Sequence, residues 1–484
     1  MVNWRIISKI IGSLLFIEAF FMGCCLVMAL SFGEDDSLAF IVSTLLTYCG
    51  AFTILFFGRE ADNSLSRRDA YVVVTLTWVV FSFFGMFPFL IHGSMASITD
   101  AYFETMSGFT TTGATVIDDV ESLPHGLLFW RSLMQWIGGL GIVFFTIAIL
   151  PSLVGGSVKV FAAEATGPMR SKMHPRLSTS AKWIWSIYLL LTVACALSFW
   201  LAGMDWFGAT NYSMSTTATG GFSIHNGTIF LASPTIEYLA ILFQFLAGIN
   251  FTLLYMGIFK FRFGTLFRNS EFKMYVGTII VATISIMALL ISRMDYHFEP
   301  AFRSALFQVV SFITTTGLSN TDAGGWPHVT WAILMLLMFM GACAGSTTGG
   351  FKSIRVLMLL KVLRNEFRHI LHPNAVLPVK MSGQSIPQSR LVTLLAFATI
   401  YVIALLLITT VMTVSGIDIT NAVTIALSLV SNVGAGLDTN IGPQMSWADL
   451  SCGIKWLCSF LMLVGRLEII AVLVLFTRSF WKEN

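Results

Sequence analysis

The chain has 484 residues, 56% of them apolar and 11% charged, with a net charge of +3 and a mean hydropathy of +0.80. Soluble domains average about a quarter charged residues, so this chain lacks the charge to coat a water-facing surface. That excludes a soluble enzyme, a secreted disulfide scaffold and a disordered chain, and leaves a polytopic membrane protein.

Uncharged runs long enough to span a bilayer lie near 8–31, 38–58, 70–93, 126–151, 181–204, 234–259, 274–292, 326–360, 390–414 and 450–477. The expected fold is therefore all-α, with ten transmembrane helices. The first run is too long and too weakly bounded for a cleaved signal peptide and reads as a spanning helix. The seven cysteines sit almost entirely in apolar runs without a CxxC pair or a metal-ligand pattern, so they read as small core residues.

Basic residues set the sidedness. With a cytoplasmic N-terminus, the inner loops collect most of the Lys and Arg, including Arg67, Arg68, Arg170, Lys172, Arg176, Arg262, Arg268, Lys361, Arg364 and Arg368. The outer loops keep Arg131, Arg293, Arg303 and Lys455. This asymmetry satisfies the positive-inside rule and places both termini in the cytoplasm. Outer acids such as Asp118, Asp119, Glu121 and Asp322 either raise the local cation concentration or only mirror the topological bias.

After the first two spans one unit recurs four times: a span, a short amphipathic stretch, a small-residue turn and a second span. The short stretches are Asp100–Ser107, Phe207–Thr216, Phe302–Phe312 and Ile419–Ser431. The turns are Phe109–Thr115, Thr216–Phe222, Ile313–Ser319 and Asn432–Asp438, the first three rich in Thr and Gly and the fourth reading Val-Gly-Ala-Gly at its centre. The units divide the chain into an N-terminal pair of helices (1–66) and four repeats (67–160, 161–268, 269–370 and 371–484). Non-helical backbone at membrane depth is tolerated only where it lines a cavity or is buried in protein. Glycine accepts φ > 0 and has no Cβ to block close approach, so such a turn can point carbonyls inward. Rings of carbonyls replace the water shell of a monovalent cation, and short helices aimed C-terminus first would add their negative ends. Four units around one axis would build a single pore. The alternative, turns that merely end re-entrant helices, fits one such turn better than four.

These turns, the short helices before them and the two extra N-terminal spans resemble the Trk/Ktr/HKT superfamily of potassium transporters, most closely its bacterial TrkH/TrkG branch. The resemblance extends over essentially the whole chain and includes Gly138–Gly141, Gly167-Pro168, Leu201–Asp205, Gly220–Ser223, Cys343–Gly350, His372–Asn374 and Gly465–Glu468. It implies one filter glycine per repeat, falling on Gly113, Gly220, Gly317 and Gly436. The K+-binding filter implied is Thr111, Thr112 and Gly113; Thr219 and Gly220; Thr315, Thr316 and Gly317; and Val433, Gly434 and Gly436. Glycine at all four positions is the pattern the family associates with K+ preference, and Ser at the first position goes with Na+.

The span at 326–360 is apolar from Trp331 to Met340, then reads Gly-Ala-Cys-Ala-Gly-Ser-Thr-Thr-Gly-Gly, and resumes as a basic helix. Two glycine pairs at mid-depth argue for a broken helix facing water or protein beneath the filter, against a helix contact built on small residues. The resemblance implies a gate loop here, comprising Gly345, Ser346, Thr347, Thr348, Gly349 and Gly350. Arg466 lies inside an apolar span, where a charge is costly and suggests function. It is either an electrostatic barrier beneath the filter or a donor to broken-helix carbonyls. Glu468 lies two residues on, off the same helix face, so a mutual salt bridge is not expected. Glu18 reads as a buried carboxyl or a helix contact rather than a proton path. His225 and His328 carry no metal-ligand constellation.

The sequence has no Walker A motif, no dinucleotide-binding fingerprint on a strand–helix turn, and no catalytic or nucleic-acid-binding constellation. It is not expected to be an enzyme or to hold a cofactor beyond the transported ion. The resemblance implies a homodimer in the bacterial inner membrane, surrounded by lipid and seated on a cytosolic nucleotide-binding TrkA-like regulatory subunit. The basic loops at 159–182, 260–273 and 352–390 are available to dock it. The leading function is gated K+ uptake through a channel-like pore. The alternatives are a secondary transporter of another small solute, disfavoured because such transporters usually show two inverted repeats, and a Na+-coupled or Na+-permeable cation transporter. Coupling of flux to protons or sodium in a symport is left open.

Overall fold

The computed structural model describes residues 2–61, 65–139, 141, 177–226, 233–375, 377–436 and 447–482. Two long antiparallel helices come first, Trp4–Phe32 and Ser37–Gly58. They lie close because glycine occupies the contact. A Cβ on Gly12 would overlap the backbone of Ala51 and Leu55, and one on Gly58 would overlap that of Lys9. Small residues that let backbones approach supply the packing that lipid cannot drive.

Four units follow, each an inbound helix, a short helix and an outbound helix. The inbound helices are Arg67–Gly85 (continued by Phe87–His92), Leu177–Leu201, Ser270–Met294 and Gln388–Val414. The short helices are Ile98–Phe109, Trp206–Ala218, Phe298–Ile313 and Ile419–Ser431. Three of them begin at an oxygen-bearing N-cap, Ser97, Asp205 and Asp418, whose side chain accepts a backbone N–H of the first turn. Past their exposed first turns they are largely buried, forming the centre of the molecule while the long helices face outward.

Three of the outbound helices are broken. Pro234–Ala247 and Phe251–Ile258 meet at 106°, and Cys452–Arg466 and Ile470–Phe476 at 109°. His328–Met340 stops at Gly341 and helix resumes at Ser353–Leu371. In the first repeat His125–Gly139 is described, and the remainder of the expected span to 151 lies outside the described residues. Among the described residues six helices are long and apolar enough to cross a bilayer, or eight if each bent pair is one span. His125–Gly139 and the interrupted third outbound helix fall at the two remaining expected spans. The basic positions Arg170, Lys172 and Arg176, with Gly167-Pro168, lie outside the described residues.

Candidate functional site: a four-strand ring and the segment beneath it

Each short helix ends in the same backbone closure. The N–H groups of Thr112, Gly220, Thr316 and Val433 return to the carbonyls of Ser107, Ser215, Ser311 and Ser428 at 2.9, 2.9, 2.8 and 2.9 Å. The residue before each of these, Thr111, Thr219, Thr315 and Asn432, sits at φ +53° to +55°, a region non-glycine residues seldom occupy. The residue after is always glycine at positive φ: Gly113, Gly221, Gly317 and Gly434. The repeats thus correspond residue by residue, and the pattern fixes their register.

These glycines bring the four segments together. A Cβ on Gly113 would strike the Gly220 carbonyl oxygen, one on Gly221 that of Thr316, one on Gly317 that of Val433, and one on Gly434 that of Thr112. The contacts close a cycle in the order one, two, three, four. No side chain fits at any of the four positions. The ring therefore holds four neutral carbonyl oxygens, from Thr112, Gly220, Thr316 and Val433, each lying against the glycine of the preceding repeat.

This register revises the expected set at two places. Gly220 contributes a ring carbonyl, and the glycine of the second repeat is Gly221. Gly436 stands three residues beyond the Val433 carbonyl, where the other repeats carry Thr115, Ser223 and Ser319; the fourth-repeat ring glycine is Gly434. Two closely spaced glycines in each of these turns, Gly220 with Gly221 and Gly434 with Gly436, concealed the register, which only the backbone closure and cross-repeat contacts resolve.

The hydroxyls at that outer position are gripped by the short helices. Thr115 donates to Glu104 at 3.0 Å, Tyr212 and Ser223 share a bond of 2.9 Å, and Gln308 donates to Ser319. In the fourth repeat the matching residues are Ile425 and Gly436, which can make no such bond. Glu104 also accepts the Val116 N–H at 3.0 Å and pairs with Arg131 at 2.9 Å, with both side chains buried. Arg131 donates onward to the Ser223 carbonyl at 2.8 Å and lies over the Phe222 ring, joining repeat one to repeat two. Arg303 meets Glu237 at 3.3 Å between repeats three and two, and Lys455 meets Asp100 at 2.6 Å between repeats four and one. Three of the four basic residues assigned to the outer side thus stitch repeats together. Isolated charges in a sequence carry no signal of such partners.

Residues 341–352 cross beneath the ring, on the side opposite the acidic loops. The Gly349 N–H donates to Thr315 Oγ1 at 2.7 Å, and Thr347 Oγ1 donates to the Thr217 carbonyl at 3.2 Å. A Cβ on Gly349 would strike the Ser431 carbonyl. The segment therefore touches ring strands of repeats two, three and four. Broken-helix groups hold it: Cys343 N–H to the Gly248 carbonyl at 3.1 Å, Phe251 N–H to the Gly345 carbonyl at 2.9 Å, and Asn250 Nδ2 to the Ala344 carbonyl at 2.5 Å. Glu271 accepts the Ala344 N–H at 2.6 Å, and Lys352 Nζ donates back to Thr348. Irregular backbone at this depth is thereby paired.

Arg466 donates to the Thr347 carbonyl at 2.9 Å and to the Gly138 and Gly139 carbonyls at 2.6 and 2.8 Å. It joins the crossing segment to the end of the first outbound helix. Glu468 pairs with Arg355 of the helix that follows the crossing segment. The carboxyl of Glu18 is buried without a hydrogen-bond partner, beside Gly85. His225 meets Glu121 at 3.2 Å, and among the described residues no cluster of three or more His, Cys, Asp or Glu could hold a metal.

With this geometry in view, the TrkH family, described as cation transport protein, matches residues 40–483. The Trk system potassium uptake protein TrkH of Escherichia coli K12 is 34% identical, with 99% of this chain and 100% of that protein covered. Its counterpart in Halomonas elongata is 36% identical, with 99% of each covered. The crystal structure of the potassium transporter TrkH from Vibrio parahaemolyticus superposes with a TM-score of 0.90 at 33% identity, covering 99% of this chain and all of that one. Match, identity and superposition extend over nearly the whole length, so the chain belongs to the TrkH cation transport protein family.

Proposed function

We propose that the chain takes up potassium across the bacterial inner membrane, with the ring acting as its selectivity filter and residues 343–350 as its gate. The observation that carries this reading is the cyclic closure of Gly113, Gly221, Gly317 and Gly434 on the carbonyls of Gly220, Thr316, Val433 and Thr112. Neutral oxygens in a ring replace the hydration shell of a monovalent cation without trapping it as fixed carboxylates would. The short helices point their C-terminal ends at the ring and add negative potential. The segment from Cys343 to Gly350 lies across the inner side of that path and is held by hydrogen bonds a moderate rearrangement can exchange. Its glycines, Gly345 and Gly350 at positive φ, supply the required backbone freedom.

The homologues named as Trk system potassium uptake proteins support K+ as the ion. The bound form is a homodimer docked through basic cytoplasmic surfaces on a nucleotide-binding TrkA-like subunit. The test is Rb+ uptake by cells lacking their own K+ uptake, with the wild-type chain and with Gly113→Ser. Wild type restores accumulation, and the serine variant loses discrimination against Na+. If neither strain accumulates Rb+, the pore reading fails.

A further inference from the structure

The ring is fourfold in backbone and asymmetric in what stands behind it. Gln135, buried in the first outbound helix, donates from Nε2 to the Gly220 carbonyl at 2.7 Å, and its Oε1 accepts the Phe222 N–H at 3.1 Å. One turn earlier on the same helix, Arg131 holds the Ser223 carbonyl. Among the described residues, the ring carbonyls of Thr112, Thr316 and Val433 accept no side-chain hydrogen bond.

A corresponding amide exists one repeat on. Gly139 abuts Ala218 and the Tyr188 hydroxyl, and Gly248 abuts Thr314 and the Tyr275 hydroxyl, so these glycines are equivalent. Four residues before them lie Gln135 and Gln244. Gln244 is equally buried, yet neither polar atom of its side chain has a partner. The bond to the ring is therefore a property of Gln135 and its surroundings, and a buried glutamine at this position does not suffice to make it.

We infer that Gln135 is a specificity-determining residue, whose amide anchors one of the four ring oxygens from behind and so disfavours ions smaller than K+. This rests on the reading of the ring as the filter. A carbonyl oxygen has two lone pairs. At Gly220 one is engaged by the amide, which draws density from the oxygen and fixes its position. A smaller cation such as Na+ needs the ring to contract, and an anchored oxygen resists that movement. A larger ion is served by the ring as it stands. Removing the donor frees the Gly220 carbonyl and relaxes discrimination.

The experiment is Rb+ uptake and its inhibition by Na+ in cells lacking K+ uptake, normalised to the amount of protein in the membrane. It compares wild type, Q135M, Q135L, Q244M and G113S. Q135M and Q135L each remove both bonds, and Q135L decides the matter if Q135M fails to reach the membrane; a glutamate is avoided because a buried carboxyl stays protonated and can donate to the Gly220 carbonyl in place of the amide. Both should strengthen Na+ inhibition relative to Rb+ uptake by about three- to tenfold, the range expected for one net hydrogen bond, while Q244M leaves the ratio unchanged. If Q135M and Q135L keep the wild-type ratio while G113S moves it, the role of Gln135 is overturned and the filter stands. A shift in Q244M equal to that in Q135M also overturns it. If G113S moves nothing either, it is the filter reading that falls.

Discussion

Gly221 and Gly434 sit at positive φ with a neighbouring strand where a Cβ would stand. A methyl group at either position meets both the left-handed backbone penalty, about 1–2 kcal/mol, and overlap with a carbonyl that cannot withdraw without opening the ring. Gly221→Ala and Gly434→Ala should each cut Rb+ uptake by about tenfold or more, the rate equivalent of that penalty alone. Gly436→Ser should retain uptake, because it supplies the residue type that Ser223 and Ser319 already place at the corresponding position. Uptake assays on the three variants read the register directly. Outside the ring, Glu104 and Arg131 form a buried ion pair at 2.9 Å, exposed by 0% and 1%. Removing one partner leaves a buried charge uncompensated, which costs about 3–5 kcal/mol. Arg131→Met should lower the thermal unfolding midpoint of the detergent-solubilised protein well below wild type, and Glu104→Gln combined with Arg131→Met should recover part of the loss.

The elements that matter most are those that fail to be regular. A continuous outbound helix would satisfy its own carbonyls; broken at Gly248 and at Gly341, it exposes groups that the crossing segment then pairs. The breaks and the segment are one construction, because neither is tolerable at membrane depth without the other. Deleting residues 343–350 should raise ion leak, measured as Rb+ efflux from loaded vesicles, and unchanged flux would deny the segment a gating role. Arg466 ties the same segment to the Gly138 and Gly139 carbonyls. Arg466→Ala should therefore raise flux per molecule at undiminished membrane content. Protein lost from the membrane with no gain in flux per molecule would instead assign Arg466 to holding the fold.

At the scale of the whole molecule, sidedness and repetition decide the architecture. A fluorescent protein fused after Asn484 should fold and fluoresce, and a periplasm-dependent phosphatase at the same site should stay inactive, if the C-terminus is cytoplasmic. Low charge and long apolar runs were enough to place the chain in a bilayer, because the cost of burying charge in lipid is paid residue by residue and shows in composition. Four small-residue turns behind short amphipathic stretches were legible for a similar reason: a re-entrant helix is brief and must end in residues that tolerate unusual φ. The helices at Trp4–Phe32, Ser37–Gly58 and Gln388–Val414 accordingly fall where the apolar runs lie. The register of the ring was not legible. Gly220 and Gly221 are equally small, as are Gly434 and Gly436, and only the approach of one repeat to the next distinguishes them. The partners of Arg131, Lys455 and Gln135, and the Glu237 that Arg303 meets besides its helix neighbour Glu299, lie far along the chain or in another repeat, beyond any local pattern. Sequence by itself determined what each segment must be, since hydropathy, charge and glycine content act locally. Tertiary structure alone decided which atoms meet at the axis and what stands behind them, since those are contacts between segments distant in the chain, the last ring strand closing on the first, set by packing rather than by any single stretch of chain.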